Sequence, residues 1–245
     1  MKYPDDFIGK VIEGNCLSVM RDMPDKCVDI TVTSPPYNQL GGRIPDKPTG
    51  MHKNDGWLKK VKDIGYSDDM TEPDYQEWCR AVVSECMRIS KGLVWFNHKI
   101  RYRDGVGIHP LSFLPFPFWS EVVWDRGGSM VLNARKYAPS HEYIWGFGKP
   151  HHWSNNLNTK MTVWRVAPQL SKTHPCPYPE DIISPLIASS CPPGGIVFDP
   201  FMGSGTTGVC AVKYGMRFCG TEKSPTHCEN ARKRIAAEQA QGKLF

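Results

Sequence analysis

Short apolar or β-branched runs recur along the chain, at Val11-Ile12, Val28 to Thr33, Leu93 to Phe96, Val122 to Trp124, Tyr143 to Phe147, Ile196 to Phe198 and Arg217 to Gly220. Several end in a turn or an acidic residue, as the buried strands of an open sheet do. Helix-like stretches lie between them. Thr71 caps one, with Pro73 in its first turn, which runs through Trp78, Val82 and Cys86 to about Ser90. Ser224-Pro225 starts another that continues through Ala231, Ile235 and Ala236. Pro179 to Ser190 and Thr206 to Tyr214 carry weaker helical patterns. The alternation predicts an α/β fold with helices on both faces of the sheet. A chain of 245 residues suffices for one good-sized core.

Two segments break this rhythm. Gln39 to Ser67 and Gly127 to Ser171 are rich in Gly, Pro, Asn and Lys. Loops of that length without their own periodicity are usually functional or disordered. Charge falls in the same places: residues 39–62 carry a net +4 and residues 126–172 a net +6, against +5 for the whole chain. The remainder is therefore acidic, and the two basic segments suit a phosphate-contacting face. Residues 126–172 are expected to recognise a target, helped by 39–62, and 39–67 to form a mobile loop beside the site. Asn133, Arg135, Asn155, Asn156, Asn158 and Gln169 are side-chain types that pair with base edges.

Other classes are disfavoured. No stretch approaches the roughly 20 apolar residues of a membrane helix. Met1 to Lys10 carries Asp5 and Asp6 and has no apolar core, so it does not read as a signal peptide and a cytoplasmic location is expected. Nine cysteines without a C-x-x-C pair read as reduced thiols. His151-His152 has no further ligand at metal spacing, so no metal site is expected.

The chemistry sits where strands end. Val28 to Thr33 runs straight into Ser34-Pro35-Pro36-Tyr37-Asn38. Pro35 ends the ladder because it lacks an N–H, and the two prolines stiffen an extended turn. Open α/β sheets bind ligands at such carboxyl ends. Ile196-Val197-Phe198-Asp199 leads into Pro200-Phe201-Met202-Gly203-Ser204-Gly205-Thr206, a glycine-rich turn entering a helix. Its glycines let backbone approach a ligand. The Gly-Lys-Ser/Thr ending of a phosphate-cradling P-loop is missing. Glu222, at the tip of the next strand and about 20 residues beyond the turn, stands where a carboxylate takes ribose hydroxyls. Together these point to an adenosine-containing cofactor.

Thr33 to Asn38 resembles the catalytic motif of DNA amino-methyltransferases, and Asp199 to Thr206 resembles their S-adenosylmethionine motif. Glu13-Gly14-Asn15-Cys16 is similar to the family's Gly-Asp-Cys strand end, and His174-Pro175-Cys176-Pro177-Tyr178-Pro179 to its His-Pro-rich segment. The catalytic motif precedes the cofactor motif, as in the β group. The resemblance spans roughly residues 10 to 235 and implies one Rossmann-like class I methyltransferase domain, 1–245, with an inserted recognition region at about 126–172.

It also implies roles. The Ser34 hydroxyl and the Pro35 carbonyl would accept the two N–H bonds of an exocyclic base amine. Pro36 would keep the turn rigid, and Tyr37 would stack on a flipped base. The cofactor would be held by Asn15, Cys16, His174, Asp199, Phe201, Gly203, Ser204, Gly205, Thr206 and Glu222. Asn15 departs from the family's Asp and accepts without charge assistance. Asn38 and, from the two basic segments, Arg43, Lys53, Arg126, Arg135 and Lys136 are expected to contact DNA. Ser34 favours cytosine N4 over adenine N6 as the target. Pro175-Cys176 lies in the His-Pro segment and does not serve as a C5-methylating nucleophile. The implied partners are double-stranded DNA and a cognate restriction nuclease, with no membrane, and a monomeric or homodimeric state. Two other readings stay open: a non-catalytic DNA-binding module that keeps the fold, and a methyltransferase for RNA or protein glutamine.

Overall fold

The structure, a computed structural model, describes residues 1–38, 70–128, 137–154, 161–168 and 178–241. Its strands are β1 (Val11–Glu13), β2 (Ile30–Thr33), β3 (Val94–His98), β4 (Arg101–Arg103), β5 (Val106–Ile108), β6 (Phe118–Asp125), β7 (His141–Phe147), β8 (Val163–Arg165), β9 (Ile196–Asp199) and β10 (Arg217–Glu222). The α-helices are α1 (Cys16–Arg21), α2 (Glu72–Ile89), α3 (Glu180–Ser190), α4 (Thr206–Lys213) and α5 (Pro225–Gln241). Eight strands form one sheet in the order β1-β10-β9-β2-β3-β7-β6-β8, and β4 and β5 form a separate hairpin. The strands from β1 to β3 are parallel, β7 runs against both its neighbours, and β8 pairs parallel with β6. Among the described residues no helix is long and apolar enough to cross a membrane.

Side-chain alternation along the strands divides the interior into two cores. Val94, Phe96, Ile196 and Phe198 point to the face covered by α1 and α2, where Met20, Val82 and Cys86 meet them. Leu93, Trp95 and Val197 point to the face covered by α3, α4 and α5, with Ile183, Val209 and Ile235. Trp95 is buried without an orphaned N–H because its indole donates to Ser190 Oγ at 2.9 Å. Opposite it β7 carries Gly146, where a Cβ would stand 2.9 Å from the Trp95 ring. A glycine inside a central strand marks such a close approach.

Chain direction reverses the crossovers at the junction of β9 and β2. From β2 the chain proceeds through α2 to β3, and from β9 through α4 to β10, on opposite sides of that junction and on opposite faces. This is the switch point where open α/β sheets form a crevice at their carboxyl ends. Both ends of the β2–β9 pair are fastened by buried acids. At the amino end, Asp29 accepts from the Ile196 N–H at 2.7 Å and from Lys91 Nζ at 3.0 Å. At the carboxyl end, Thr33 Oγ1 donates to Asp199 Oδ1 at 2.7 Å.

The elements expected from sequence are present, with small shifts. The β2 ladder begins at Ile30, while Val28 makes an isolated bridge to Ser90. Thr71 caps α2, accepting from the Asp74 N–H, and Pro179 stands at the N-cap of α3 without a side-chain bond. The α1 helix, six residues long, is too short to show a hydrophobic period. The β4–β5 hairpin did have a signal: Asp104-Gly105, with φ of +51° and +84°, is a two-residue turn of the Asp-Gly kind. The stretch 126–172 is not wholly an insertion, because β7 crosses it in the interior of the sheet between β3 and β6. The proposed mobile loop at 39–67 lies outside the described residues.

Candidate active site

The carboxyl ends of β1, β10, β9, β2 and β3 share one edge of the sheet, and the motifs at Asn15, Ser34, Asp199 and Glu222 leave from it. Asp199, at the tip of β9, is buried and accepts three hydrogen bonds. Its Oδ1 accepts from Thr33 Oγ1 at 2.7 Å and from the Phe201 N–H at 2.9 Å, and its Oδ2 accepts from Thr207 Oγ1 at 2.6 Å. It therefore welds the glycine-rich turn to the strand that carries Ser34. Glu222, at the tip of β10, accepts from the Gly203 N–H at 2.9 Å and from the Ser224 N–H at 2.8 Å, one on each oxygen. A carboxylate oxygen takes more than one donor, so both retain acceptor capacity. Gly203 and Gly205 have φ of +50° and +83°, which suits glycine. The Phe201 ring packs on Trp78 of α2 with centroids 5.4 Å apart.

Beside this turn, the Ser34-Pro35-Pro36-Tyr37 corner is held by two hydrogen-bonded chains. In the first, Tyr75 donates to the Pro36 carbonyl at 2.7 Å and stands 2.8 Å from His98 Nε2. His98 Nδ1 lies 2.8 Å from the Lys99 carbonyl and 2.9 Å from the Lys99 N–H, and burial lowers the His98 pKa to about 3, so the ring is neutral. In the second chain the Tyr37 hydroxyl lies 2.9 Å from Ser34 Oγ, 2.9 Å from Asn97 Oδ1 and 2.9 Å from Glu142 Oε2. Glu142 is buried and its other oxygen accepts from Arg126 Nη1 at 2.9 Å. The carboxylate is the strongest acceptor present, so the single phenolic proton goes to Glu142. Tyr37 then accepts from Ser34, which leaves the Ser34 lone pairs for an incoming donor. Burial, with the charge of Glu142 beside it, holds the Tyr37 pKa well above the ordinary phenol range.

The sequence profile of the DNA methylase family that covers N6 and N4 methyltransferases matches residues 28–233. The chain belongs to this family. The Type II methyltransferase M.HinfI of Haemophilus influenzae is 25% identical over 94% of this methylase and 69% of its own length. The Type II methyltransferase M.BglII of Bacillus subtilis is likewise 25% identical, over 99% and 73%. Among solved structures, the cytosine-N4-specific PvuII DNA methyltransferase superposes with a TM-score of 0.69 at 14% identity, covering 96% of this chain and 94% of its own. The putative DNA modification methylase TTHA0409 of Thermus thermophilus, solved with S-adenosyl-L-methionine, gives 0.63 at 18% identity, covering 94% and 95%. At these identities the structural likeness is one of fold.

Several residues of the methylase that the motifs single out make bonds or contacts within the chain. The Asn15 side chain caps α1, its Oδ1 accepting from Leu17 N–H at 3.0 Å and Ser18 N–H at 3.3 Å, a task for which asparagine serves as well as aspartate. Cys16 faces the core under α1 and its thiol is pushed up to about 12 by burial, so the structure gives it a packing role. Ser204 and Thr206 bond one another at 3.2 Å and, through the Ser204 carbonyl and Thr206 Oγ1, engage Arg234 of α5, which anchors the turn from behind. Asn38 is almost wholly buried, with Nδ2 donating to the Met70 carbonyl at 2.9 Å and its own carbonyl accepting from Arg103. That burial removes it from the DNA-contacting set, where it fastens the two ends of the 39–69 excursion. Arg126, expected on phosphate, is engaged with Glu142 in the site. Arg43, Lys53, Arg135, Lys136 and His174 lie outside the described residues.

Tyr75, Asn97, His98 and Glu142 were missed. His98 ends β3 and Glu142 is the second residue of β7, so both lie near strand ends at the catalytic edge, but nothing in their local pattern separates them from ordinary buried strand residues. Only the strand order brings them to Ser34.

Asp199 also gives the methylase a pH signature. Burial raises its pKa from 3.8 to about 6, against the opposing bonds from Thr207, Thr33 and Phe201. Between those values the folded protein holds a proton that the unfolded chain has released, so its stability declines as pH rises through the window. Asp199→Asn should flatten the decline. Its Oδ1 can keep Thr33 and Phe201 while Nδ2 donates to Thr207, whose hydroxyl reverses role. Urea midpoints of both proteins between about pH 4 and pH 6 check this; parallel declines would contradict it.

Proposed function

We propose that this DNA methyltransferase transfers a methyl group from S-adenosylmethionine to an exocyclic amine of a flipped base in double-stranded DNA, with cytosine N4 as the favoured target. The observation that carries the reading is the Thr33–Asp199 hydrogen bond, which fixes the Ser34 corner and the glycine-rich turn as two sides of one crevice. A Ser34 with free lone pairs is what an amine with two N–H bonds requires.

The donor set fits the cofactor. Glu222 has acceptor capacity for ribose hydroxyls, the Gly203–Gly205 backbone is shaped for close approach, and Phe201 supplies an apolar surface. When bound, S-adenosylmethionine supplies an electrophilic methyl group whose bond pair stays on sulfur. The chain itself supplies orientation. Ser34 Oγ and the Pro35 carbonyl accept the amine N–H bonds, which favours a tetrahedral nitrogen with its lone pair exposed. The Pro36 carbonyl already accepts from Tyr75, which holds the corner in place. Tyr37 covers the base with its ring and passes the polarity of Glu142 to Ser34. The anion of Glu142 strengthens Ser34 as an acceptor through this chain. The cytosine-N4 specificity of the PvuII enzyme, a fold neighbour, agrees with the favoured target.

Nucleoside mass spectrometry of duplex DNA treated with the purified protein and S-adenosylmethionine tests the reading. N4-methylcytosine is expected. N6-methyladenine would correct the base and keep the reaction, and unmodified DNA with modified RNA or protein would overturn the substrate.

A further inference from the structure

Every side-chain group so far assigned to the base in this pocket is an acceptor. Ser34 Oγ and the Pro35 carbonyl face the amine, and Asn97 Oδ1 and Glu142 stand behind them. A flipped base also brings acceptors of its own. Cytosine carries N3 and O2 side by side next to its amine, whereas adenine carries N1 flanked by a C–H. A pocket that buries those atoms without donors loses a hydrogen bond for each.

Two donors of the right kind are present and unspent. Among the described residues the Tyr178 hydroxyl is buried and has no hydrogen-bond partner, and the same holds for Arg126 Nε. Both belong to side chains packed on Trp124: the Tyr178 ring lies 6.0 Å from it, and the Arg126 guanidinium 5.6 Å. The same guanidinium holds Glu142, which holds Tyr37, so this pair of donors borders the base side of the crevice. Buried polar atoms are ordinarily satisfied, and among those that are not, these two donors lie on side chains tied to the Trp124–Glu142 side of the site.

Resting on the methyltransferase reading, we propose that Tyr178 is a base-contacting residue whose hydroxyl donates to the ring nitrogen beside the target amine, with Arg126 supplying the neighbouring donor. Two donors on side chains that share Trp124 match the N3 and O2 edge of cytosine. Burial and the nearby carboxylates of Glu142 and Asp199 keep the phenol protonated across the working pH range. A neutral phenol suits this position. It holds the ring nitrogen in place without protonating it, which would drain the amine lone pair into the ring.

The test compares the wild type and Tyr178→Phe on duplexes carrying cytosine or 3-deazacytosine at the methylated position. The wild type should prefer cytosine, and the cytosine/3-deazacytosine ratio of kcat/KM should fall about five- to tenfold in the variant, the worth of one hydrogen bond. The pairing defect of the analogue is common to both enzymes and cancels in the comparison. Cofactor affinity and melting temperature should stay unchanged. An unchanged ratio, an equal loss of S-adenosylmethionine affinity in the variant, or a wild type indifferent to the analogue would each overturn the proposal while leaving methyl transfer intact. Methylation of adenine alone would overturn the cytosine match. A wild type with no activity on any duplex would instead remove the reading on which the proposal rests.

Discussion

Tyr37→Ala should lower kcat about 10²- to 10³-fold, the range seen when one preorganised polar group is lost from an active site, and leave S-adenosylmethionine binding within about twofold. The alanine deletes two things at once. It removes the ring, packed at 4.9 Å from His98, that covers the base, and it removes the hydroxyl that links Ser34 to Glu142. Neither touches the Asp199 and Glu222 clamps on the glycine-rich turn. Tyr37→Phe keeps the ring and should fall between the two, since only the polar link is cut. Single-turnover methylation and calorimetry with S-adenosylmethionine measure the separation. Loss of cofactor binding in Tyr37→Ala would place this residue on the other side of the crevice.

Gly205→Ala is expected to cost about 2–4 kcal/mol of stability, from the left-handed backbone and forced overpacking together, and to weaken the cofactor by deforming the turn. A Cβ there would sit 2.9 Å from Ala231 Cα and 3.2 Å from the Ala231 carbonyl, both backbone atoms of α5, and φ is +83°. Backbone cannot move aside as a side chain can. Gly194 is the matched control: its φ is +70° but nothing lies within 4 Å of its Cβ position. Gly194→Ala should therefore show the conformational penalty alone, about 1–2 kcal/mol. Thermal denaturation with and without S-adenosylmethionine separates the cases. Equal effects at both positions would mean that the α5 contact does not shape the turn.

Legibility in the sequence followed the range of the interactions. Motifs that act within a few residues could be read directly. The proline corner after β2, the glycine turn after β9 and the acid at the tip of β10 each announce themselves by local backbone chemistry. The strands were legible because both faces are buried, which makes them continuous apolar runs. Contacts set by strand order were not. Glu142 stands 105 residues from the Tyr37 hydroxyl it binds, and Asn97 60 residues from it. Charge counting misled for a related reason. It assigned Arg126 to phosphate because its neighbours are basic, whereas β6 and β7 pair it with the buried acid Glu142. Asn38, expected among the DNA contacts, has a φ of +50° and turns inward onto Met70. Asn15 looked like a weakened cofactor ligand, and its bonds to the α1 amides show a different reason for an amide there.

The most direct measurement is a crystal structure of the protein with S-adenosylmethionine and a duplex containing its target base. The sulfonium methyl should lie on the β2–β9 edge with its carbon about 3–3.5 Å from an amine held by Ser34, the separation of a near-attack arrangement. A cofactor found instead at the far β1 edge, for instance in the cavity of about 310 Å³ lined by Lys10, Val11, Arg232 and Gln239, would contradict it.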